Sequence, residues 1–267
     1  MLELILIPTI IFIILGLVAG LLLSVFSKVF AVKTNEKEQD IIAALPGLNC
    51  GVCGFSGCEN YAHNLIETDV KTNRCVPGGD AVSKKISEIL GTDFCDVEEN
   101  VAVIKCGGDK PNTTNDSFVY QGEKTCIACN MYYNGKGKCD YGCIGYGDCI
   151  NECKYGAISI VDSVAVIDPN LCVGCTLCVA ACPKMIIEMK PLKSKVFVKC
   201  SSCDSAKVTF SVCKNGCIAC KKCEKVCPTN AITVSDNHAH IDYDKCTNCG
   251  ACVDVCPQHC ITKSTNS

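Results

Sequence analysis

Large aromatic side chains are scarce in this chain of 267 residues: tryptophan is absent, and aromatic residues make up only 6% of the sequence. We therefore expect a core that is poor in large side chains and a fold that needs another source of stability. Only 4 histidines are present, which disfavours zinc sites built on cysteine and histidine pairs. The formal net charge of -3, with so few aromatic residues, argues against a nucleic-acid partner.

Nucleotide-binding and hydrolytic motifs are missing as well. No G-x-G-x-x-G run follows a predicted strand, and no Walker-type or flavin-binding pattern is present. No Ser/His/Asp set and no pair of catalytic carboxylates stands out. We therefore expect no catalytic residues in this chain and no hydride chemistry.

Cysteine is abundant, with 28 residues, and its spacing identifies the chemistry. The run C-x2-C-x2-C-x3-C-P occurs at residues 172–183, 217–228 and 246–257. It is typical of bacterial [4Fe–4S] ferredoxins, in which the fourth cysteine binds the neighbouring cluster. Iron–sulfur clusters are favoured over zinc or a disulfide scaffold, and they predict one-electron transfer. Because metal binding is coupled to folding, clusters can also substitute for a larger core.

The N-terminal segment predicts a membrane anchor over residues 1–30. Residues 4–27 are almost wholly apolar, and about 20 apolar residues span a bilayer core. No small-residue cleavage site follows, so a signal peptide is not favoured. Lysines follow the apolar run, namely Lys28, Lys33 and Lys37. The positive-inside rule then predicts a single-pass protein of the cell membrane with a cytoplasmic C-terminal part.

A helical four-cysteine module is predicted over residues 31–95. Its candidate ligands are Cys50, Cys53, Cys58 and Cys75, which suffice for one [4Fe–4S] cluster, with zinc as the alternative. Helices are predicted at residues 36–45, 59–68 and 80–90. Residues 96–125 are polar and predict a linker or a loop-rich insertion.

The rest of the chain is an internal duplication, in which the cysteines of residues 143–182 correspond in spacing to those of residues 217–256. It predicts two tandem ferredoxin-like domains at residues 126–199 and 200–267. Alternating apolar stretches in each repeat, such as residues 156–160 and 230–234, predict short strands beside the cysteine loops. The fold class expected is therefore α+β. It comprises one N-terminal transmembrane helix, a small four-cysteine module and two tandem two-cluster domains.

One ligand position breaks the repeat, because Tyr146 stands where the second copy has Cys220. A cluster needs four ligands, and Cys139 is the nearest spare cysteine in sequence. We therefore predict that Cys139 replaces the missing ligand. The alternative is a first cluster that has been lost.

Five [4Fe–4S] clusters are expected, with a sixth possible. Besides the four-cysteine module, the predicted ligand sets are Cys139, Cys143, Cys149 and Cys182; Cys153, Cys172, Cys175 and Cys178; Cys217, Cys220, Cys223 and Cys256; and Cys227, Cys246, Cys249 and Cys252. Eight cysteines remain without a role: Cys95, Cys106, Cys126, Cys129, Cys200, Cys203, Cys213 and Cys260. Some could build the sixth cluster, but buried apolar thiols are the favoured interpretation of this group.

The order of these parts resembles one family, the B subunit of the Rnf complex. The resemblance rests on the N-terminal apolar helix, on residues 49–58 and 73–79 of the four-cysteine module, and on ferredoxin repeats that end at residues 256–261. It covers nearly the whole chain. Two tandem repeats in place of one are similar to the longer forms of the family.

The resemblance implies a relay in a membrane complex that oxidises reduced ferredoxin, reduces NAD⁺ and exports Na⁺ or H⁺. The implied partners are soluble ferredoxin, the other membrane and cytoplasmic subunits of the complex, and the membrane itself. Three lysines among the ligands of one set are candidates for steering an acidic redox partner, namely Lys221, Lys222 and Lys225. A solvated lysine face is the more ordinary interpretation of them.

Two other functions fit the clusters. One is the electron-transfer subunit of a membrane hydrogenase or formate dehydrogenase, which does not account for the four-cysteine module beside an anchor. The other is part of a reducing system that keeps a redox-sensing regulator reduced. A purely structural metal protein is a third class, and redox-silent centres would support it.

Overall fold

The computed structural model describes the backbone of residues 2–29, 35–108 and 116–264. Within the first segment, the side chains of residues 2–9, 11, 28 and 29 lie outside the described residues. The chain divides into two compact units, Met1–Asp40 and Ile41–Ser267.

The first unit contains helix α1, Leu2–Val29. Its described apolar side chains are exposed, among them Phe12, Leu17 and Leu23. Over the part of the chain that the structure describes, no helix is both long enough and apolar enough to cross a membrane. The predicted span at residues 4–27 includes positions whose side chains lie outside the described residues, as do the side chains of Lys28 and Lys33.

The four-cysteine module is helical. Its elements are α2 (Glu36–Ala44), α3 (Cys58–Glu67), α4 (Gly79–Leu90) and two 3₁₀ turns (Thr72–Arg74 and Val76–Gly78). The three predicted helices are confirmed to within one residue at each end. Their apolar faces meet in a core of Ile41, Tyr61, Leu65 and Ile86. The Tyr61 hydroxyl donates to the Lys71 carbonyl at 3.0 Å, which satisfies its polar end inside this core.

The rest of the second unit is built from short helices and two-stranded ribbons. In chain order the elements are β1 (Asn100–Ile104), α5 (Cys126–Asn130), α6 (Asp148–Asn151), β2 (Ile158–Val161), β3 (Val164–Ile167), α7 (Leu177–Ala181), β4 (Ile187–Pro191), β5 (Val196–Val198), α8 (Ala206–Val212), α9 (Lys222–Val226), β6 (Ile232–Ser235), β7 (His238–Ile241), α10 (Ala251–Asp254) and β8 (Ile261–Lys263). Four antiparallel pairs form: β1 with β4, β2 with β3, β5 with β8, and β6 with β7.

The two hairpins lie at corresponding positions of the two repeats. Ile158 pairs with Ile167 in the β2–β3 hairpin, and Ile232 pairs with Ile241 in the β6–β7 hairpin. In each hairpin the two residues at the centre of the turn have positive φ. Asp162 is one of the two in the β2–β3 hairpin. Positive φ at both central residues is the requirement of a type I′ turn, whose twist suits a tight hairpin. Strands are thus confirmed where the alternating apolar stretches predicted them.

Two strand pairs cross the domain boundaries that the cysteine pattern predicted. Residues 96–125, expected to be a linker or a loop-rich insertion, contain β1, whose partner is β4 of the first repeat. Residues 196–198, expected at the end of the first domain, form β5 and pair with β8 of the second repeat. Each repeat therefore begins with a strand that pairs with its own last strand, and the β-branched residues of β1 fit that role.

Close packing of a cysteine loop against β1 generates a stability prediction at Gly174. Its φ is +70°, and an added Cβ would overlap the carbonyl oxygen of Asn100. Gly174→Ala should destabilise the chain by about 2–4 kcal/mol, because left-handed strain and steric overlap add. Thermal unfolding by circular dichroism measures the change.

The matched control is Gly156→Ala, whose φ of +62° is similar but whose added Cβ meets nothing within 4 Å. This variant should lower the free energy of unfolding by only about 1–2 kcal/mol, the cost of an alanine in the left-handed conformation. Equal losses in both variants would contradict the close approach of Gly174 to β1.

Candidate metal centres

The structure brings together Cys50, Cys53, Cys58 and Cys75 at the start of α3. Burial raises the pKa of the Cys75 thiol to about 11, and the nearby thiolates of Cys58, Cys50 and Cys53 raise it further. Four converging thiols with this mutual repulsion form a donor set that suits a cationic metal centre.

Asn49 organises the loop around this group. Its backbone is left-handed, with a φ of 51°, a conformation that asparagine tolerates better than most residues. Its side-chain Oδ1 accepts a hydrogen bond from the Cys58 backbone N–H at 2.8 Å. The first turn of α3 is thereby tied to the loop that carries Cys50 and Cys53.

The structure also groups Cys153, Cys172, Cys175 and Cys178. Burial raises the pKa of the Cys178 thiol to about 11, with Cys172, Cys175 and Cys153 as charged neighbours. The backbone N–H of Ala102 on β1 donates to Cys172 Sγ at 3.5 Å. The segment expected to be a linker therefore supplies a hydrogen bond to a candidate ligand, and such bonds tune iron–sulfur potentials.

Two further groups form in the second repeat. Burial raises the pKa of Cys223 to about 11, with thiolates of Cys217, Cys220 and Cys256 beside it. Burial likewise raises the pKa of Cys252 to about 11. Its charged neighbours are Cys246, Cys249 and Cys227. Both groups combine cysteines from one loop with a cysteine that follows the other short helix, as crossed ligation requires.

Cys260 lies against the first of these groups, although the sequence left it without a role. It is 2% exposed, and its Sγ is 3.5 Å from Cys256 Sγ. A hydrogen bond from Cys260 lowers the pKa of the Cys256 thiol to about 5. Cys260 is therefore placed to stabilise the thiolate form of a candidate ligand.

The remaining group differs from the prediction. A cavity of the first repeat is lined by Cys126, Cys143, Cys149 and Cys182. Burial raises the pKa of Cys149 to about 11, and Cys126 and Cys182 are the nearest charged neighbours. Cys126 thus lies where the ligand missing at Tyr146 is needed.

The structure places Cys139 beside other cysteines than the ones predicted to share its cluster. Burial raises its pKa to about 12, and its charged neighbours are Cys106, Cys200 and Cys213. A turn closed by the Gly142 N–H and the Cys139 carbonyl at 3.1 Å separates Cys139 from Cys143.

Asp148 explains how Cys126 reaches this position. Its carboxylate accepts hydrogen bonds from the backbone N–H groups of Cys126 at 2.7 Å and Ile127 at 3.0 Å. The Thr125 hydroxyl caps the same turn by accepting from the Ala128 N–H at 3.1 Å. The first turn of α5 is therefore fixed to α6, which carries Cys149.

Other spare cysteines are not part of these groups. Cys129 is fully buried in α5, Cys95 is half-buried, and Cys203 is exposed. Across the described residues, no group of three or more Cys, His, Asp or Glu side chains is arranged to hold a single metal ion.

Three family models match segments of the chain. "Putative Fe-S cluster" matches residues 45–77, "4Fe-4S binding domain" matches residues 165–188, and "4Fe-4S dicluster domain" matches residues 216–260. These matches cover cysteines of the module and of both repeats. The donor sets and these matches together define a protein with several iron–sulfur centres, a class that carries electrons.

Several curated relatives extend over most of the chain. The B subunit of the ion-translocating oxidoreductase complex of Methanosarcina acetivorans is 39% identical over 233 residues, which is 87% of this chain and 88% of the relative. The B subunit of the Na(+)-translocating ferredoxin:NAD(+) oxidoreductase complex of Acetobacterium woodii is 39% identical over 92% of this chain and 74% of the relative. The proton-translocating counterpart of Clostridium ljungdahlii is 35% identical over 87% and 82%.

The chain belongs to the family of these B subunits, the electron-transfer subunits of ion-translocating oxidoreductase (Rnf) complexes. The resemblance found in the sequence is thereby confirmed.

The tie between Asn49 and Cys58 generates one prediction. Asn49→Ala should lower the stability of the module by about 1.5–3 kcal/mol, because it removes a hydrogen bond and leaves a left-handed alanine. Iron per chain and thermal unfolding report the loss. Asn49→Asp keeps an acceptor oxygen and should retain most of the iron. If the alanine variant matches the wild type in both measurements, the bond does not organise this site.

The position of Cys126 generates another. Cys126→Ala should remove about four irons per chain, one cluster's worth, because the first group loses a ligand. Cys129→Ala, in the same short helix but outside the group, is the matched control and should keep the full complement. Iron and acid-labile sulfide are measured together. Unchanged iron in Cys126→Ala would contradict its place in the group.

Proposed function

We propose that this chain is the iron–sulfur relay through which an ion-translocating ferredoxin:NAD⁺ oxidoreductase takes electrons from reduced ferredoxin. The names of the relatives support the reaction that we propose. The cysteine groups of this chain support its role as the relay. Nicotinamide and flavin chemistry then belongs to the other subunits of the complex, which this chain supplies with electrons.

Five [4Fe–4S] clusters are proposed at the groups described above. Their ligands are Cys50, Cys53, Cys58 and Cys75; Cys153, Cys172, Cys175 and Cys178; Cys126, Cys143, Cys149 and Cys182; Cys217, Cys220, Cys223 and Cys256; and Cys227, Cys246, Cys249 and Cys252. Four thiols per set and backbone donors to sulfur fit a cubane cluster. Such clusters supply one-electron transfer when they are bound.

The observation that carries this proposal is that thiols of neighbouring groups lie close enough for their charges to interact. Burial raises the pKa of Cys175, and Cys50 of the four-cysteine module is among the thiolates that raise it further. Cys149 has Cys178 of the next group as a charged neighbour in the same way. The module and the first repeat are therefore proposed to hold neighbouring sites in one row, and Cys50, Cys75, Cys153 and Cys175 are all charged neighbours of Tyr155.

The two repeats are the proposed tandem ferredoxin-like domains, and they also position the ligands. Short helices α6 and α7 pack together in one repeat, as α9 and α10 do in the other. Each pair sets the two cysteine loops of its repeat face to face, so that every group takes ligands from separate segments. Backbone donors, such as the Ala231 N–H at 3.3 Å from Cys227 Sγ, stabilise the thiolates.

The N-terminal helix is proposed to anchor the chain in the cell membrane in a single pass, with the second unit in the cytoplasm. The apolar run of residues 4–27 is long enough for this, and lysines follow it. Exposure of the described apolar side chains of α1 leaves them available to lipid.

Ferredoxin is proposed to dock on the second repeat. Lys221, Lys222 and Lys225 are exposed at α9, and Cys220 and Cys249 of the two adjoining groups are exposed as well. A positive surface beside solvent-accessible centres would attract an acidic carrier and shorten the distance for electron transfer. Lys190, which precedes the second repeat in the chain, contributes little to this surface, because it is only 1% exposed.

This docking surface can be tested by charge reversal. Lys222→Glu/Lys225→Glu should slow reduction by ferredoxin about tenfold or more at low ionic strength, and salt should narrow the difference. Lys84→Glu/Lys85→Glu, on exposed lysines of α4, changes the net charge equally and should have little effect. Stopped-flow reduction at several salt concentrations gives the rates. Equal slowing in both variants would contradict docking at α9.

The relay itself is tested with the full chain in detergent under anaerobic conditions. Iron, sulfide and zinc are counted, and EPR spectra are recorded during titration with reduced ferredoxin. At least about twenty irons per chain, with low-potential signals that grow as ferredoxin donates, are expected. Zinc in place of iron, or clusters that ferredoxin cannot reduce, would overturn the proposed function and favour a structural or regulatory role.

A further inference from the structure

Four cysteines outside the proposed relay converge between the two repeats. Cys106, Cys139, Cys200 and Cys213 line one cavity of about 20 Å³, the same volume as the cavity lined by the first group of the relay. Burial raises the pKa of Cys139 to about 12 and that of Cys200 to about 11, and other members of the set are charged neighbours in both cases. Each relay group likewise contains a cysteine whose pKa is raised by burial and by other members of its group.

The set has two-fold internal symmetry. Cys106 follows β1 by two residues, and Cys200 follows β5 by two residues. Cys139 and Cys213 occupy corresponding positions of the two repeats, and each begins a turn closed by the N–H of the glycine three residues later, at 3.1 and 3.2 Å. Each repeat thus contributes the same two cysteines from the same two places in its fold.

Hydrogen bonds hold the repeats together around this set. The Gly107 N–H donates to the Lys199 carbonyl at 2.9 Å, and Asn215 Nδ2 donates to the Gly107 carbonyl at 2.9 Å. The Ser201 hydroxyl is within 3.3 Å of the Lys105 carbonyl and 3.2 Å of the Tyr141 carbonyl. The four thiols are therefore fixed by the contact between the repeats and are not loose side chains on its edge.

The same set touches one relay group on each side. The Cys143 N–H donates to Cys106 Sγ at 3.4 Å, and Cys143 belongs to the first-repeat group. The Cys217 N–H donates to Cys200 Sγ at 3.2 Å, and Cys217 belongs to a second-repeat group. Amide donors to sulfur are typical of iron–sulfur sites, and here they come from ligand residues of two other sites.

We propose that Cys106, Cys139, Cys200 and Cys213 bind a sixth [4Fe–4S] cluster that connects the electron path of one repeat to that of the other. The proposal rests on the relay function, since only a redox-active centre is of use at this junction. In each hop one cluster is oxidised by one electron and its neighbour is reduced by one, and no bond forms or breaks. Electrons that enter at α9 then reach the four-cysteine module along one uninterrupted row.

The test compares two double variants of the full chain, loaded anaerobically. Cys139→Ala/Cys213→Ala removes one ligand from each repeat. Cys129→Ala/Cys203→Ala, which also changes one corresponding cysteine in each repeat, is the matched control. The wild type and the control should hold about twenty-four irons and as much sulfide, and the ligand variant about twenty. The lost EPR signal should be that of one cluster.

A second measurement follows the electrons. In the ligand variant, added ferredoxin should still reduce the second-repeat clusters rapidly. The clusters of the first repeat and of the module should be reduced at least about tenfold more slowly than in the wild type. Dithionite should reduce all that remain, which shows that they are intact.

The outcomes separate this proposal from the relay function. About twenty irons in the wild type, unchanged by the ligand variant and reducible by ferredoxin, would overturn the sixth cluster and leave the relay standing. One zinc per chain that only the ligand variant loses would also overturn it. Failure of ferredoxin to reduce any cluster would overturn the relay itself. If the ligand variant loses all its iron, the iron count of the wild type decides between five clusters and six.

Discussion

The candidate sites depend on thiols buried in groups, whose thiolate forms are unfavourable without metal. Burial raises the pKa to about 11 or 12 for eight of them, Cys75, Cys139, Cys143, Cys149, Cys178, Cys200, Cys223 and Cys252. A metal centre needs the thiolate form, which the low dielectric and the neighbouring thiolates oppose. The positive charge of bound iron offsets this cost, so cluster binding would stabilise the fold that brings the thiols together. A chain without tryptophan can therefore remain compact through its clusters.

Duplication of the two-cluster domain extends these local groups of thiols into a longer path for electrons. Each repeat closes its first strand on its last, as β1 does with β4, and so brings the two cysteine loops into contact. The segments beside Cys106 and Cys200 also contact each other, since the Gly107 N–H donates to the Lys199 carbonyl at 2.9 Å. The bonds of Cys143 to Cys106 and of Cys217 to Cys200 are the same contact made twice. A second copy of a two-cluster domain thus adds a junction as well as two clusters.

Local spacing predicted most of the site, and long-range pairing decided the rest. The cysteines of the C-x2-C-x2-C runs lie within a few residues of one another, so their grouping follows from the sequence, as do helices α3 and α4. The place of Cys126 depends on Asp148, 22 residues away. The role of Cys106 depends on β1, whose partner β4 lies at the opposite end of the first repeat. The β-branched run at residues 101–104 was the available indication, and the polar residues around it led to the prediction of a linker.

The most direct measurement of the central claim is a density map of the intact complex, with iron located by anomalous scattering or by cryo-electron microscopy. Six iron clusters in one row along this chain are expected. In that row Cys126 binds with Cys149, and a cluster lies between Cys106 and Cys200. Iron bound through Cys139 to the Cys143 group, with no cluster between the repeats, would contradict it. The relay would then consist of two separate arms.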